Sequence, residues 1–266
     1  RLWLGLLWAE RLMVLAAALG VWAFINGRFL FAGYHALVAS ARVRGLPLLP
    51  PPLSGERLLV LAPHPDDGEL GCGGTLARAK AEGLSTGILD LTRGEMGSKG
   101  TPEEREKEVA EASRILGLDF RGNLGFPDGG LADVPEQRLK LAQALRRLRP
   151  RVVFAPLEAD RHPDHTAASR LAVAAVHLAG LRKAPLEGEP FRVERLFFYP
   201  GNHPFAPSFL VKISAFIDQW EAAVLAYRSQ FTGEAASETV GPKGVEARKA
   251  MRRYWGNYLG VDYAEP

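Results

Sequence analysis

Cysteine is almost absent: Cys72 is the only one in 266 residues. That excludes an intramolecular disulfide and any metal site closed by several thiolates. The fold must rest on its core, and any metal must be held by nitrogen and oxygen. Cys72, set among glycines, reads as a small buried residue of a helix. Basic tracts are scarce as well. The net charge of +3 comes from the first 55 residues, where Arg1, Arg11, Arg28, Arg42 and Arg44 face only Glu10. The remainder is close to neutral and holds no basic stretch with interleaved aromatics, which argues against nucleic-acid binding. Internal repeats and low-complexity segments are lacking too. With 47% apolar and 24% charged residues, the composition is that of one globular domain with a short appendage.

The appendage is the N-terminal stretch. No charge occurs from Leu12 to Gly27, and Trp3, Trp8, Trp22, Phe24, Phe29, Phe31 and Tyr34 surround that run. A full span wants about 20 apolar residues, so the run is a short membrane helix that snorkelling of Arg11 and Arg28 completes. A signal peptide would need a clear small-residue cleavage site, for which Ala32-Gly33 and Ala39-Ser40-Ala41 serve only loosely. A helix packed on the domain is the other alternative. Residues 1–45 are therefore expected to form an apolar helical segment that associates with a membrane through residues 2–41. Residues 46–55, L-P-L-L-P-P-P-L-S-G, read as a stiff extended linker, and residues 56–266 as the domain. Three arginines follow the apolar run and two precede it, a bias that expects the domain on the cytoplasmic side.

From residue 56 the pattern alternates strand and helix. Arg57–Ala62, Thr86–Thr92, Val152–Ala155, Val193–Tyr199 and Phe209–Ile213 are short runs of the kind found in buried strands. Leu70–Glu82, Val134–Leu148, His165–Leu181, Ala215–Tyr227 and Glu246–Tyr258 read as helices. Thr101-Pro102-Glu103-Glu104 combines a capping threonine, a first-turn proline and a glutamate three residues on, and so starts a helix that stops at Gly117. The alternation predicts an α/β fold: a Rossmann-like, mainly parallel sheet flanked by helices, with the N-terminal apolar helical segment added.

Two strings carry the chemistry: A-P-H-P-D-D-G-E at Ala62–Glu69 and R-H-P-D-H at Arg161–His165. Each sets imidazole and carboxylate groups within a few positions, beside prolines that stiffen the turn. Each also follows a predicted strand, and in such sheets ligands bind beyond the strands' carboxyl ends. Two sequence-distant loops thus converge on one crevice. Histidine and carboxylate ligands that leave a coordination position for water belong to hydrolytic rather than structural metal sites. Gly71-Cys72-Gly73-Gly74 after a strand raises the rival of dinucleotide binding. Asp66, Asp67 and Glu69 would face a pyrophosphate there, and the glycine spacing is wrong. Close packing of helix on sheet explains those glycines more simply.

From about Leu58 to Ala264 the chain resembles the LmbE/PIG-L-like zinc N-deacetylases, and within them the subgroup that removes acetate from N-acetylglucosaminyl malate in bacillithiol biosynthesis. The resemblance runs through both strings, D-L-T-R-G-E-M-G-S-K-G-T at Asp90–Thr101, N-L-G-F-P-D-G at Asn123–Gly129, D-R-H-P-D-H at Asp160–His165, A-Y-R-S-Q-F at Ala226–Phe231 and a terminal G-V-D-Y-A-E. It implies Zn²⁺ held by His64, Asp67 and His165, with Asp66 as general base. It also implies that His162 sits beside the scissile carbonyl, oriented by Asp164, and a cationic His162 beside that carboxylate would stabilise the oxyanion. Arg93, Glu95, Asn123, Asp128 and Arg228 are candidates for the sugar pocket. The implied partner is a small amino-sugar substrate, and the subgroup's habit is a homo-oligomer, although the first 50 residues are an addition to its pattern. Two alternatives stand beside this reading. One is deacetylation of another amino sugar, a glycolipid or chitin-type oligosaccharide. The other is a non-catalytic sugar-binding relative, disfavoured because binding alone would not require Asp66.

Overall fold

The computed structural model describes residues 57–203, 205–231 and 241–266. The chain divides into two units, Arg1–Leu46 and Pro47–Pro266, and every described residue belongs to the second. The expected membrane segment and linker lie outside the described residues. Among the described residues, no helix is long and apolar enough to cross a membrane.

The elements are β1 (Arg57–Ala62), α1 (Asp67–Ala81), β2 (Ser85–Thr92), α2 (Pro102–Leu116), β3 (Phe120–Phe126), α3 (Pro135–Leu148), β4 (Val152–Pro156), α4 (Pro163–Ala179), β5 (Arg195–Tyr199), β6 (Val211–Lys212), α5 (Ile217–Leu225), α6 (Arg228–Phe231), α7 (Pro242–Leu259) and β7 (Ala264–Glu265). Five strands form one sheet in the order β3-β2-β1-β4-β5, and every pairing in it is parallel. β6 and β7 pair antiparallel as a separate ribbon.

Strand alternation divides the core between the two faces. Leu59, Leu61, Leu89, Leu91 and Val153 pack with Leu141 and Leu145 of α3 and Leu171 and Ala175 of α4. Leu58, Val60, Ile88, Val152 and Phe154 pack on the opposite face with Cys72 and Leu76 of α1. A third cluster gathers Leu70, Trp220, Val224, Tyr227, Phe231 and Val245 where α1, α5, α6 and α7 meet. The α1 glycines are contact points, as their spacing suggests. An added Cβ would meet Tyr199 at 2.3 Å from Gly71, and Ile213 at 2.6 Å from Gly74.

α2 begins at the expected capping box, with Thr101 Oγ1 accepting from Glu104 N–H at 3.2 Å and Glu104 Oε2 accepting from Thr101 N–H at 2.8 Å. It ends at Gly117 in the left-handed conformation, φ 67°. β3 is the strand that the sequence pattern does not announce. F-R-G-N-L-G-F alternates Phe120, Leu124 and Phe126 with polar residues, but its two glycines weaken the strand signal. It joins the sheet as an edge strand beside β2, with a register shift near Asp90, and Arg121 anchors it through Asp90 and Glu69.

The topology positions the site. The chain runs outward from β1 through β2 to β3, then returns to place β4 on the other side of β1. The loops after β1 and β4 are therefore neighbours at the point where the strand order reverses, where a crevice opens in such sheets.

Candidate active site

His64 follows β1, and Asp66 and Asp67 open α1. Asp66 caps that helix with φ 109° and ψ −32°, a positive φ unusual for a residue other than glycine. The turn is held from within: His64 N–H donates to Asp67 Oδ2 at 3.0 Å, and Thr92 N–H and Oγ1 both donate to Pro63 O. On the other loop, His162 caps α4 and Pro163 occupies its first turn, so Asp164 and His165 project from a fixed helix start.

These two turns bring three imidazoles together, with ring centroids 4.8 Å apart for His64 and His162, 5.0 Å for His162 and His165, and 5.6 Å for His64 and His165. Asp67 Oδ2 lies between two of them, 3.0 Å from His64 Nδ1 and 3.2 Å from His165 Nε2. One ligand atom from each of His64, Asp67 and His165 falls within 4.8 Å of the others, and the donors are the nitrogen and oxygen types that suit a divalent ion. The remaining ring nitrogens are also held. His64 Nε2 faces Asp128 at 3.1 Å and Asp164 at 3.2 Å, and His165 Nδ1 faces Asp160 at 3.2 Å. Carboxylates behind ligand histidines fix tautomer and ring orientation, so this chain has both the set that would hold an ion and its supports.

The charges are tightly coupled. Burial would lower the pKa of His64, but hydrogen bonds to Asp128, Asp164 and Asp67 outweigh it and push the value up to about 12. Burial likewise opposes protonation of His165, while Asp67 and Asp160 carry it up to about 9. Asp67 itself is lowered well below the usual carboxylate range, its burial overcome by His165 and His64. Asp66 goes the other way. Burial and then the Asp67 charge raise it to about 7, against the pull of Arg105 and His64. Burial and then the neighbouring His64 and His165 charges lower His162. That shift works against the cation expected of His162 beside Asp164.

A crevice of about 360 Å³ opens over this cluster, lined by His64, Asp66, Asp67, His162 and His165 together with Met96, Arg105, Asp128, Arg161, Asn202, Gln230 and Arg248. Of the five sugar-pocket candidates, Asp128 is the one that lines it. Glu95 is spent on its own loop, accepting from Arg93 N–H at 3.1 Å and Asp128 N–H at 2.9 Å. Arg93 and Asn123 line a different cavity, and the Asn123 amide is bound to Thr92 O and Gly125 N–H. Arg228 lines a depression beside Lys107 and Glu111 of α2. The expected role of Asp164 also needs correction. Its carboxylate accepts from Gly129 N–H at 2.8 Å and faces His64. It is the Asp164 backbone N–H that reaches His162, donating to Nδ1 at 3.3 Å.

Arg105, Asn202 and Arg248 are site residues that the motifs do not single out, and Asp160, inside the D-R-H-P-D-H string, has no role that the string alone assigns. Asp160 stands two residues before His162, and its spacing from His165 could have marked it as a support. Arg105 sits in the charged run E-E-R-E-K-E, where nothing in the sequence distinguishes a buried arginine from a solvated one.

Known proteins share this arrangement of elements. The family described as PIG-L, GlcNAc-PI de-N-acetylase, matches residues 59–176, a stretch that spans both histidine loops. A diacetylchitobiose deacetylase of Thermococcus kodakarensis is 30% identical over 225 residues, covering 79% of this chain and 81% of the relative. The chain belongs to the PIG-L/LmbE family. A second PIG-L/LmbE relative, the 1D-myo-inositol 2-acetamido-2-deoxy-alpha-D-glucopyranoside deacetylase of Rhodococcus jostii, is 28% identical, with 73% of this chain and 86% of that one covered. The solved conserved protein TT1542 from Thermus thermophilus is 96% identical, covers 79% of this chain and 92% of its own, and superposes with a TM-score of 0.75. As a PIG-L/LmbE enzyme, the chain is an amide hydrolase of the N-deacetylase type.

Proposed function

We propose that the crevice removes the N-acetyl group from an N-acetylglucosamine conjugate, and that the conjugate is N-acetylglucosaminyl malate. The convergence of His64 Nδ1, Asp67 Oδ2 and His165 Nε2, with Asp66 and His162 alongside, carries the first half of that reading. The family relatives support it, since both are named for deacetylation of a sugar bearing an acetamido group. The malate assignment rests on the T-R-G-E and Y-R-S-Q-F strings, and on Arg161 and Arg248, two cations on the crevice wall that suit an anionic aglycone.

In this reading His64, Asp67 and His165 hold a zinc ion, which when bound supplies Lewis acidity that polarises a carbonyl and acidifies water. Asp66 accepts the proton of the attacking water on its carboxylate and returns it to the leaving amine, a role suited to a group titrating near neutrality. His162 accepts the Asp164 N–H at Nδ1, which leaves Nε2–H to donate a hydrogen bond to the carbonyl oxygen as negative charge develops. Asp160 and Asp164 keep the histidines from rotating.

The deciding experiment is acetate release by the metal-loaded protein from N-acetylglucosaminyl malate, the inositol conjugate and N,N'-diacetylchitobiose in parallel. Preference for the malate conjugate is expected. A dominant rate on diacetylchitobiose would transfer the chain to the reading favoured by its Thermococcus relative, and no release from any of the three would remove the deacetylation proposal. We further propose residues 2–41 as a membrane anchor with the domain on the cytoplasmic side. Protease should leave the domain intact in right-side-out spheroplasts and digest it after lysis; digestion before lysis would reverse the orientation.

A further inference from the structure

Arg105 reaches the crevice from the first turn of α2. Its backbone N–H donates to Thr101 O at 3.0 Å, so the residue stands on the helix start that the capping box fixes. It is only 6% exposed. The guanidinium carbon lies 5.9 Å from the centroid of the Tyr227 ring. Nη2 passes close to Gly94, where an added Cβ would stand 2.9 Å from it. The glycine of the T-R-G-E string thus leaves room for this group.

Other buried arginines in this fold are paired by hydrogen bonds. Arg121 takes both Asp90 oxygens, at 2.7 Å and 2.9 Å, and Arg252 donates to Glu265 Oε1 from Nε at 3.0 Å and from Nη2 at 2.7 Å. Arg105 is different. Its Nε and Nη1 are sealed from solvent and have no hydrogen-bond partner among the described residues. Its one ion pair among those residues is with Asp66, whose Oδ2 is 3.7 Å from Nη1, too long for a hydrogen bond. Unmade buried donors are costly, so an ion pair held at this distance is a poor way to stabilise a fold.

The same distance suits a base. Among the described residues the Asp66 carboxylate accepts no hydrogen bond, and its backbone, at φ 109°, is a strained one that its surroundings must hold. Attraction to a fixed charge restrains the carboxylate without occupying the lone pairs that must take a proton. We propose that Arg105 is a positioning residue for Asp66, holding the carboxylate by charge where it meets the attacking water. The role rests on Asp66 being the base of the proposed deacetylation.

A double-mutant cycle on the metal-loaded, full-length protein tests it, read as acetate release from whichever acetamido sugar turns over fastest. Arg105→Met should lower kcat by about tenfold or more, the scale on which contacting residues couple, with KM and bound metal unchanged. Arg105→Lys should recover part of that loss. In the Asp66→Asn background the same Arg105→Met change should alter kcat by about twofold or less, because residues that act as a unit are not additive. A merely structural arginine would slow both backgrounds alike. Equal loss in the two backgrounds overturns the proposal, and so does a raised KM at constant kcat. Gly94→Ala serves if Arg105→Met does not fold, since it keeps the charge and crowds Nη2. Its fall in kcat should disappear in Asp66→Asn; an equal fall in both backgrounds, or none, overturns the role. Near-normal turnover in Asp66→Asn alone would remove the base, and this role with it, whereas equal losses beside a slow Asp66→Asn leave the base standing and remove Arg105 only.

Discussion

Asp67 and Asp66 are adjacent carboxylates with opposite fates, and the difference is one of neighbours. Asp67 faces two histidines and is held ionised, whereas Asp66 is buried beside that negative charge and titrates near 7. The pair therefore separates into a ligand and a proton acceptor. His165→Ala is expected to lose both the bound ion and turnover. Asp66→Asn should keep stoichiometric metal and lose turnover by about a hundredfold or more, as removal of a general base does. Metal analysis beside single-turnover rates distinguishes the two; full zinc in the His165 variant would break the ligand assignment. His162→Ala should lower kcat by about a hundredfold, the scale of one lost oxyanion donor, with zinc unchanged. A raised KM at constant kcat would make His162 a ground-state contact instead.

At the scale of elements, the loop after β5 supports α4 across the crevice. Asp160 accepts from Asn202 N–H at 2.7 Å and from its amide at 2.9 Å, and also faces His165. Gly201 makes the approach possible, because an added Cβ would stand 1.8 Å from Asp160 Oδ2. Gly201→Ala should therefore push Asp160 off His165 and weaken metal binding by about ten- to a hundredfold, as loss of a supporting partner does. A competition titration with a chelating dye reads this without reference to activity, and unchanged affinity would mean that the loop yields elsewhere. Legibility in the sequence follows the same scale. α2 could be read whole because its cap, first-turn proline and terminal glycine are local signals. β3 could not, because its place is set by pairing with β2 and by the Arg121 contacts to Asp90 and Glu69. The cluster of His64, Asp67 and His165 is legible because its members sit in two stiff strings. The crevice walls are not: Arg105, Asn202 and Arg248 come from a helix, a loop and another helix that only the packed fold brings together. Arg93, Asn123 and Arg228 line other cavities for the converse reason, since a polar residue near a motif in sequence need not face the same one.

For the molecule as a whole, the buried charges link metal loading to pH. Without an ion, His64 and His165 are protonated at neutral pH, with values of about 12 and about 9. Binding must displace those protons. Calorimetric titrations of zinc at pH 7 in buffers of different ionisation enthalpy should report about two protons released per ion; none released would mean the histidines are already neutral. Stability follows with a definite sign. The folded value of His165 lies above its ordinary 6.5, so the metal-free protein gains from that proton fully below pH 6.5 and loses the gain as pH rises through about 9. Melting of metal-free protein should therefore weaken across that window, and metal should remove most of the dependence.

The positive φ of Asp66 sets what the chain tolerates at that point. Elsewhere in a fold, replacing a side chain by alanine is gentler than replacing it by glycine, because glycine loses more freedom when it is ordered. At residue 66 the order should invert. Alanine keeps the crowded backbone and glycine does not, a difference of about 1 kcal/mol. Asp66→Gly should melt above Asp66→Ala while both are inactive. The carboxylate thus occupies a place that the backbone alone would give to glycine, and a melting curve would reveal that preference where every activity assay reads zero.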